Sequence, residues 1–330
     1  MGGAWDEMLD EFRALGGMAQ NIRLGEGALG RGIFPMDPSQ PVAIHIPGNL
    51  LLETADATFE NGAFRVRPEA RIGARERAFL ESYEERFSWG GGGREDIAQV
   101  FEQAHALPAE LRERLRAELR CGDWFGAFTP RTVEECFLSS RCIAWQGRMV
   151  VMPIVELANH GARADYDTAN GVSLRGSFAG EVLVRYSEID AYGLFLNWGF
   201  AHPQPQALSI ALGGDVGGVR LRVLRDLSEF RSSARPPKLA NVGGTATLDF
   251  LTLGDREHPR RCKTVFYKLM RDAGFAGFED AFDTVQHVNR MHFLKLLAAV
   301  EGFEVPIVHT LRRMARHQLD ALSFAFGARP

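Results

Sequence analysis

The strongest constraint on this chain is the change of hydrophobic texture along its length. Residues 5–15 place Trp5, Met8, Leu9, Phe12 and Leu15 at helical spacing, which predicts an amphipathic opening helix. From Gly25 to Leu52, glycines, prolines and the short apolar runs Val42–Ile46 and Leu50–Leu52 read as strands and turns. Residues 74–120 turn helical and charged, with Leu111, Leu115 and Leu119 at i, i+4 and i+8 after Leu107-Pro108. Gly90–Gly93 interrupts that stretch and reads as a flexible connector. Strand texture returns at Met149–Met152 and Glu181–Tyr186. Past Pro203, Leu221 and Val223, then Ala246, Leu248 and Phe250, alternate as strands do. After Lys263 the chain is helical, with Val285, Val288, Leu296 and Val300 on one segment and Val308, Leu311 and Leu322 on the last. The order predicts an α+β protein: a β-rich domain split by a helical insertion, then a second domain.

Composition narrows the function classes. A formal charge of −4 over 330 residues lacks the basic excess of a general nucleic-acid binder. No run approaches the roughly 18 apolar residues of a transmembrane helix, and the first residues lack the basic-then-apolar pattern of a leader. A cytoplasmic protein with no membrane partner is therefore expected. Cys121, Cys136, Cys142 and Cys262 contain no C-x-x-C pair and read as reduced thiols, with no metal expected. His287 and His292 lie five apart, off one helix face.

One motif misleads. Gly25-Glu26-Gly27-Ala28-Leu29-Gly30 matches G-x-G-x-x-G, which binds dinucleotides only between a buried strand and a helix. Here polar Gln20-Asn21-Ile22-Arg23 precedes it, and Pro35 and Pro38 follow it, so no uninterrupted helix can begin there. P-loop, G-x-S-x-G and H-E-x-x-H patterns are absent from the sequence.

Four segments remain, and their order is informative: Leu29-Gly30-Arg31-Gly32-Ile33-Phe34; Ser139-Ser140-Arg141; Pro153-Ile154-Val155-Glu156-Leu157-Ala158-Asn159-His160; and Gly180-Glu181-Val182-Leu183-Val184-Arg185-Tyr186, trailed by Asn197-Trp198-Gly199-Phe200. In these residues the chain resembles the SET-domain methyltransferases, in the branch of the plant Rubisco large-subunit lysine methyltransferase and the actin-histidine methyltransferase. The resemblance implies a SET β-fold of small curled sheets with a pseudoknot. Its catalytic core would be residues 1–60 and 136–210, its helical insertion 61–135, and its mostly helical substrate-binding domain 211–330.

The resemblance also implies roles. S-adenosylmethionine (AdoMet) would be the cofactor, contacted by Leu29, Gly30, Arg31, Gly32, Ser140, Arg141, Glu156, Asn159, His160 and Tyr186. Arg141 suits the methionine carboxylate, since a guanidinium grips a carboxylate bidentately. Asn159 and His160 would hold the ammonium group and adenine. Tyr186 would be the catalytic tyrosine, and Trp198 and Phe200 would meet the substrate. The partner would be a protein or peptide, with an acceptor amine deprotonated by burial and like charge rather than by a dedicated base.

Three positions depart from the family pattern. Glu156 stands for the usual Asp, Ser187 for the Gly after the tyrosine, and Trp198 for the Tyr of Y-G-F. The last change keeps open a histidine or other amine as the acceptor instead of lysine. A catalytically inactive SET-fold binding module is the alternative from another class. A homodimer has no support in the sequence.

Overall fold

A computed structural model describes residues 2–161, 164–227 and 235–324. By internal contacts the chain divides into two units, 1–99 with 128–186, and 100–127 with 187–330. This division groups residues 61–99 with the first unit and 187–210 with the second.

The first unit opens with α1 (Gly2–Ala14), as the periodicity predicts; Trp5, Met8, Leu9 and Phe12 are buried along it. Strands β1 (Met18–Gln20), β2 (Ile22–Gly27), β3 (Gly30–Pro35), β4 (Val42–Ile46), β5 (Leu52–Glu53), β6 (Ala57–Glu60) and β7 (Ala63–Val66) follow, then α2 (Ala74–Phe87). Helix α3 (Arg94–His105) begins in this unit. After the return of the chain come α5 (Pro130–Ser140), β8 (Cys142–Trp145), β9 (Arg148–Val151), β10 (Asn159–His160), β11 (Val172–Gly176) and β12 (Leu183–Val184).

Among the described residues the sheets are small, two to four strands each. β4 shows why: Val42, Ile44 and Ile46 are fully buried while Ala43 and His45 face outward, a period of two that covers only one side. It is the central strand between β1 and β11, antiparallel to both. The G-x-G-x-x-G residues form an antiparallel hairpin, β2 and β3 with Ala28-Leu29 at its tip, and no helix follows. The Glu181–Tyr186 run is strand only at Leu183–Val184, where β12 pairs in parallel with β10.

The glycine run is more ordered than a flexible connector. It joins α2 to α3 in a tight turn in which Gly93 N–H donates to the Ser88 carbonyl at 2.9 Å, five residues back. Gly92 sits at φ +115°, open only to glycine without strain.

The second unit contains the end of α3, α4 (Ala109–Glu113), α6 (Ala191–Trp198), α7 (Arg261–Asp272), α8 (Ala281–Ala299) and α9 (Pro306–Ser323). Its strands are β13 (Gln206–Leu208), β14 (Leu212–Val216), β15 (Val219–Val223), β16 (Leu239–Val242), β17 (Thr245–Leu248) and β18 (Thr252–Asp255). Four of them form a sheet in the order β14-β15-β17-β16. Val285, Leu296 and Val300 are buried as the helical spacing predicts, whereas Val288 is 41% exposed, on the outer side of α8. Buried Asp190 organises this unit: it caps α6 through Gly193 N–H, accepts from Leu208 N–H and Gln318, and pairs with Arg225 at 2.6 Å. No helix among the described residues is long and apolar enough to cross a membrane.

Candidate active site

In the first unit, the four segments singled out in the sequence meet through direct hydrogen bonds. The hairpin tip comes first. Leu29 is 56% exposed, and Gly30 adopts φ +87°. Behind the hairpin, a side chain at Gly32 would overlap the carboxylate of Glu181, and a Cβ would stand 2.9 Å from Asn159 Nδ2. At Gly27 a Cβ would lie 2.8 Å from the other Glu181 oxygen. These glycines therefore serve close approach of Glu181 and Asn159 to the backbone. The Val182 N–H, next in the chain, donates to the Ile33 carbonyl at 2.8 Å and holds the fourth segment to the first.

Asn159 ties three of the segments together. Its Nδ2 donates to the Arg31 carbonyl at 3.1 Å and to Glu181 Oε1 at 2.5 Å. Both amide hydrogens are thereby used, which leaves Oδ1 as an acceptor for a cationic donor. Next to it, His160 Nδ1 accepts the Tyr186 N–H at 3.3 Å, and the two rings meet edge to face at 5.2 Å. The parallel pairing of Asn159 with Leu183 and His160 with Val184 sets this register. It is continued by Gly161 N–H to the Val184 carbonyl and Arg185 N–H to the Ala164 carbonyl.

The Tyr186 hydroxyl donates to the Ala158 carbonyl at 2.9 Å. Burial pushes its pKa up to about 12, against the pull of Arg141. The phenol is therefore neutral at physiological pH, a hydrogen-bonding group rather than a base. A second phenol belongs here. Tyr166 has a buried hydroxyl with no hydrogen-bond partner among the described residues. Its pKa is raised by burial first, then by Tyr186 and Glu156.

The segment leading to Asn159 is bent under strain. Ile154, buried and β-branched, sits at φ +69° and ψ −63°, and Val155 N–H donates to the Pro153 carbonyl at 2.8 Å. This is a γ-turn of the rare hand, a conformation costing about 1–3 kcal/mol. It is followed directly by Glu156.

Arg141 and Glu156 form a buried ion pair, Glu156 side chain 1% exposed and Arg141 19%. Burial opposes the Arg141 charge, but Glu156 beside it raises its pKa above the ordinary value. The guanidinium also lies 5.1 Å from the centre of the Phe137 ring. Tyr83 donates to the other Glu156 oxygen at 2.5 Å. Ser140 Oγ turns back to the Phe137 carbonyl at 3.0 Å, within its own helix. Directly after Tyr83 on α2 is Glu84, fully buried. Among the described residues no well-formed hydrogen bond reaches either of its carboxyl oxygens, although Ser88 and the Trp89 backbone lie close enough to favour its charge. Burial, then Glu156, push its pKa up to about 8, so it is largely protonated at neutral pH.

Trp198 and Phe200 belong to the second unit. Their rings lie 6.4 Å apart and pack on the cluster of Ile189, Leu194, Leu208 and Phe250.

Three residues of this region carry no signal as motifs: Tyr83, Glu84 and Tyr166. Glu84 was detectable in principle. It falls on the stripe Phe79, Leu80, Tyr83, Phe87 of α2, and a charged residue on an apolar stripe marks a buried polar site.

No family model and no curated protein matches the sequence. Among solved structures, the chain is similar to Rubisco LSMT bound to AdoMet, at 15% identity and a TM-score of 0.45, covering 97% of this chain and 90% of that one. The SET domain of LSMT bound to MeLysine and AdoHcy aligns over the same shares at 14% identity and a TM-score of 0.43.

Proposed function

We propose that the chain is a SET-fold, AdoMet-dependent N-methyltransferase acting on an amine side chain, a protein lysine in the first instance. The observation that carries this reading is the meeting of the four motif segments at one place, with Asn159 at its centre. On this reading residues 1–60 and 136–210 form the catalytic core, 61–135 the insertion and 211–330 the substrate-recognition domain. Parts of that last span, 228–234 and 325–330, lie outside the described residues.

The residues suit the cofactor's charged end. Asn159 Oδ1, its Nδ2 being engaged, is an acceptor for the ammonium group. The Gly30–Gly32 backbone would run along the methionine portion. Arg141 would reach the carboxylate only by sharing its guanidinium with Glu156, whose extra methylene relative to Asp carries the carboxylate to that pair. When bound, AdoMet supplies a methyl group on a sulfonium cation.

The remaining work falls to positioning and exclusion of water. The Tyr186 hydroxyl gives its hydrogen to the Ala158 carbonyl, so toward the polarised methyl and the incoming amine it would act as an acceptor. A lysine entering this buried surrounding loses its proton readily, because desolvation and a neighbouring cation both disfavour the ammonium form. The neutral phenol need not accept that proton.

Titration calorimetry tests the reading. AdoMet and its demethylated product should both bind at micromolar concentrations, and Asn159→Ala should weaken both. Absence of heat from a folded wild-type sample would reject the cofactor and favour the non-catalytic binding module. If binding is found, transfer of a labelled methyl group to lysine or histidine in a protein extract, read after hydrolysis, identifies the acceptor.

A further inference from the structure

The Gly90–Gly93 turn meets two arginines of the site. Arg31 Nη1 donates to the Gly91 carbonyl across sixty positions of sequence. A Cβ at Gly91 would stand 2.8 Å from that same nitrogen and 2.9 Å from the Arg86 carbonyl. Two residues on, a Cβ at Gly93 would stand 2.8 Å from the Ser88 carbonyl and 3.3 Å from Arg141 Nη2. Only a run without side chains allows α2 and α3 to be joined this tightly while both guanidinium groups lie against the turn.

The hairpin is thus held on two sides. Glu181 and Asn159 fill the space behind Gly27 and Gly32, and Asn159 bonds the Arg31 carbonyl. From the same residue, the Arg31 side chain reaches the glycine turn. At the tip, Leu29 is 56% exposed, and among the described residues nothing lies within 4 Å of a Cβ built at Gly30.

We infer that the Gly90–Gly93 turn is a wall of the cofactor site, and that Arg31 is a positioning residue latching the Gly30–Gly32 backbone to it through the Gly91 carbonyl. The inference rests on the methyltransferase reading. It assigns the Arg31 side chain a role as a hydrogen-bond donor to protein, where its charge is not the working feature.

The latch and a direct charge contact to the cofactor make different predictions. Arg31→Ala should raise the Kd for AdoMet about ten-fold, because binding would then have to order a Gly30–Gly32 backbone that the latch had held. It should lower the melting temperature of the unliganded protein only slightly, since one hydrogen bond is lost, and should raise the KM for AdoMet far more than it lowers kcat. Arg31→Gln, which keeps an N–H donor without the charge, should recover most of the affinity. Binding of 5′-methylthioadenosine, which lacks the amino-acid end, should be unchanged in both variants.

Three results would overturn the latch alone: AdoMet affinity unchanged in Arg31→Ala, Arg31→Gln as weak as Arg31→Ala, or equal loss of AdoMet and methylthioadenosine. Failure of the folded wild type to bind AdoMet would instead defeat the methyltransferase reading, and the latch with it.

Discussion

Arg141 and Glu156 lie fifteen residues apart in sequence and form a buried ion pair, with the Tyr83 hydroxyl on the second Glu156 oxygen. This pair links the end of α5 to the strained turn that precedes Asn159. Breaking one side of such a pair leaves an uncompensated buried charge, at a cost of about 3–5 kcal/mol. Glu156→Gln should therefore lower stability by about that amount in a urea titration. A loss below about 1 kcal/mol would mean that water reaches the pair and screens it.

Glu84 makes stability fall with rising pH. Its folded pKa of about 8 lies above the ordinary carboxylate value of 4.5, so the native state holds a proton that the unfolded chain releases. Below the unfolded pKa both states are protonated and the group has no effect. Between the two values stability declines, by about 1.4 kcal/mol per unit for one proton, and above the folded pKa the decline stops. Glu84→Gln should flatten this part of the profile and be more stable than wild type at pH 8 by a few kcal/mol. Melting temperatures of the two proteins measured from pH 5 to 8 should diverge upward; parallel curves would remove Glu84 from the account.

Tyr186→Phe should bind AdoMet with near wild-type affinity and lose about 10²–10³ in turnover, the order seen when one group acting on the transition state is removed. Equal losses in affinity and turnover would mean that Tyr186 holds the fold of the site rather than the reaction.

Tyr166→Phe has the opposite sign in stability. Removing a buried hydroxyl that has no partner among the described residues relieves a desolvation cost of about 1–3 kcal/mol, so the unliganded variant should melt higher. A lower melting point would show that the hydroxyl is satisfied in solution.

Local periodicity carried much of the fold. The alternation of Val42, Ile44 and Ile46 marks β4, and the helical spacing of Trp5, Met8, Leu9 and Phe12 marks α1, because each pattern reports which side of one element must leave water. The prolines after Gly30 excluded a helix there, and a hairpin stands in its place. Gly90–Gly93 shows the limit of such reading: four glycines in a row are the same string in a flexible linker and in a compressed turn. What distinguishes them here is the Ser88 and Arg86 carbonyls and the Arg31 and Arg141 guanidiniums packed against them.

The sequence by itself determined the element types, the α+β class and the four segments whose order suggests a methyl-transfer site. Only the tertiary structure decided that Arg141 is paired with Glu156, that both Asn159 hydrogens are used by Arg31 and Glu181, that Glu84 is buried, and that the Tyr166 hydroxyl is shut off from water. The physical reason lies in range. Hydrophobic periodicity is a property of neighbours three or four residues apart, whereas Asn159 meets the Arg31 carbonyl across 128 positions and Tyr83 meets Glu156 across 73. Partners at such separations are chosen by how the chain packs, and packing is a property of the whole unit.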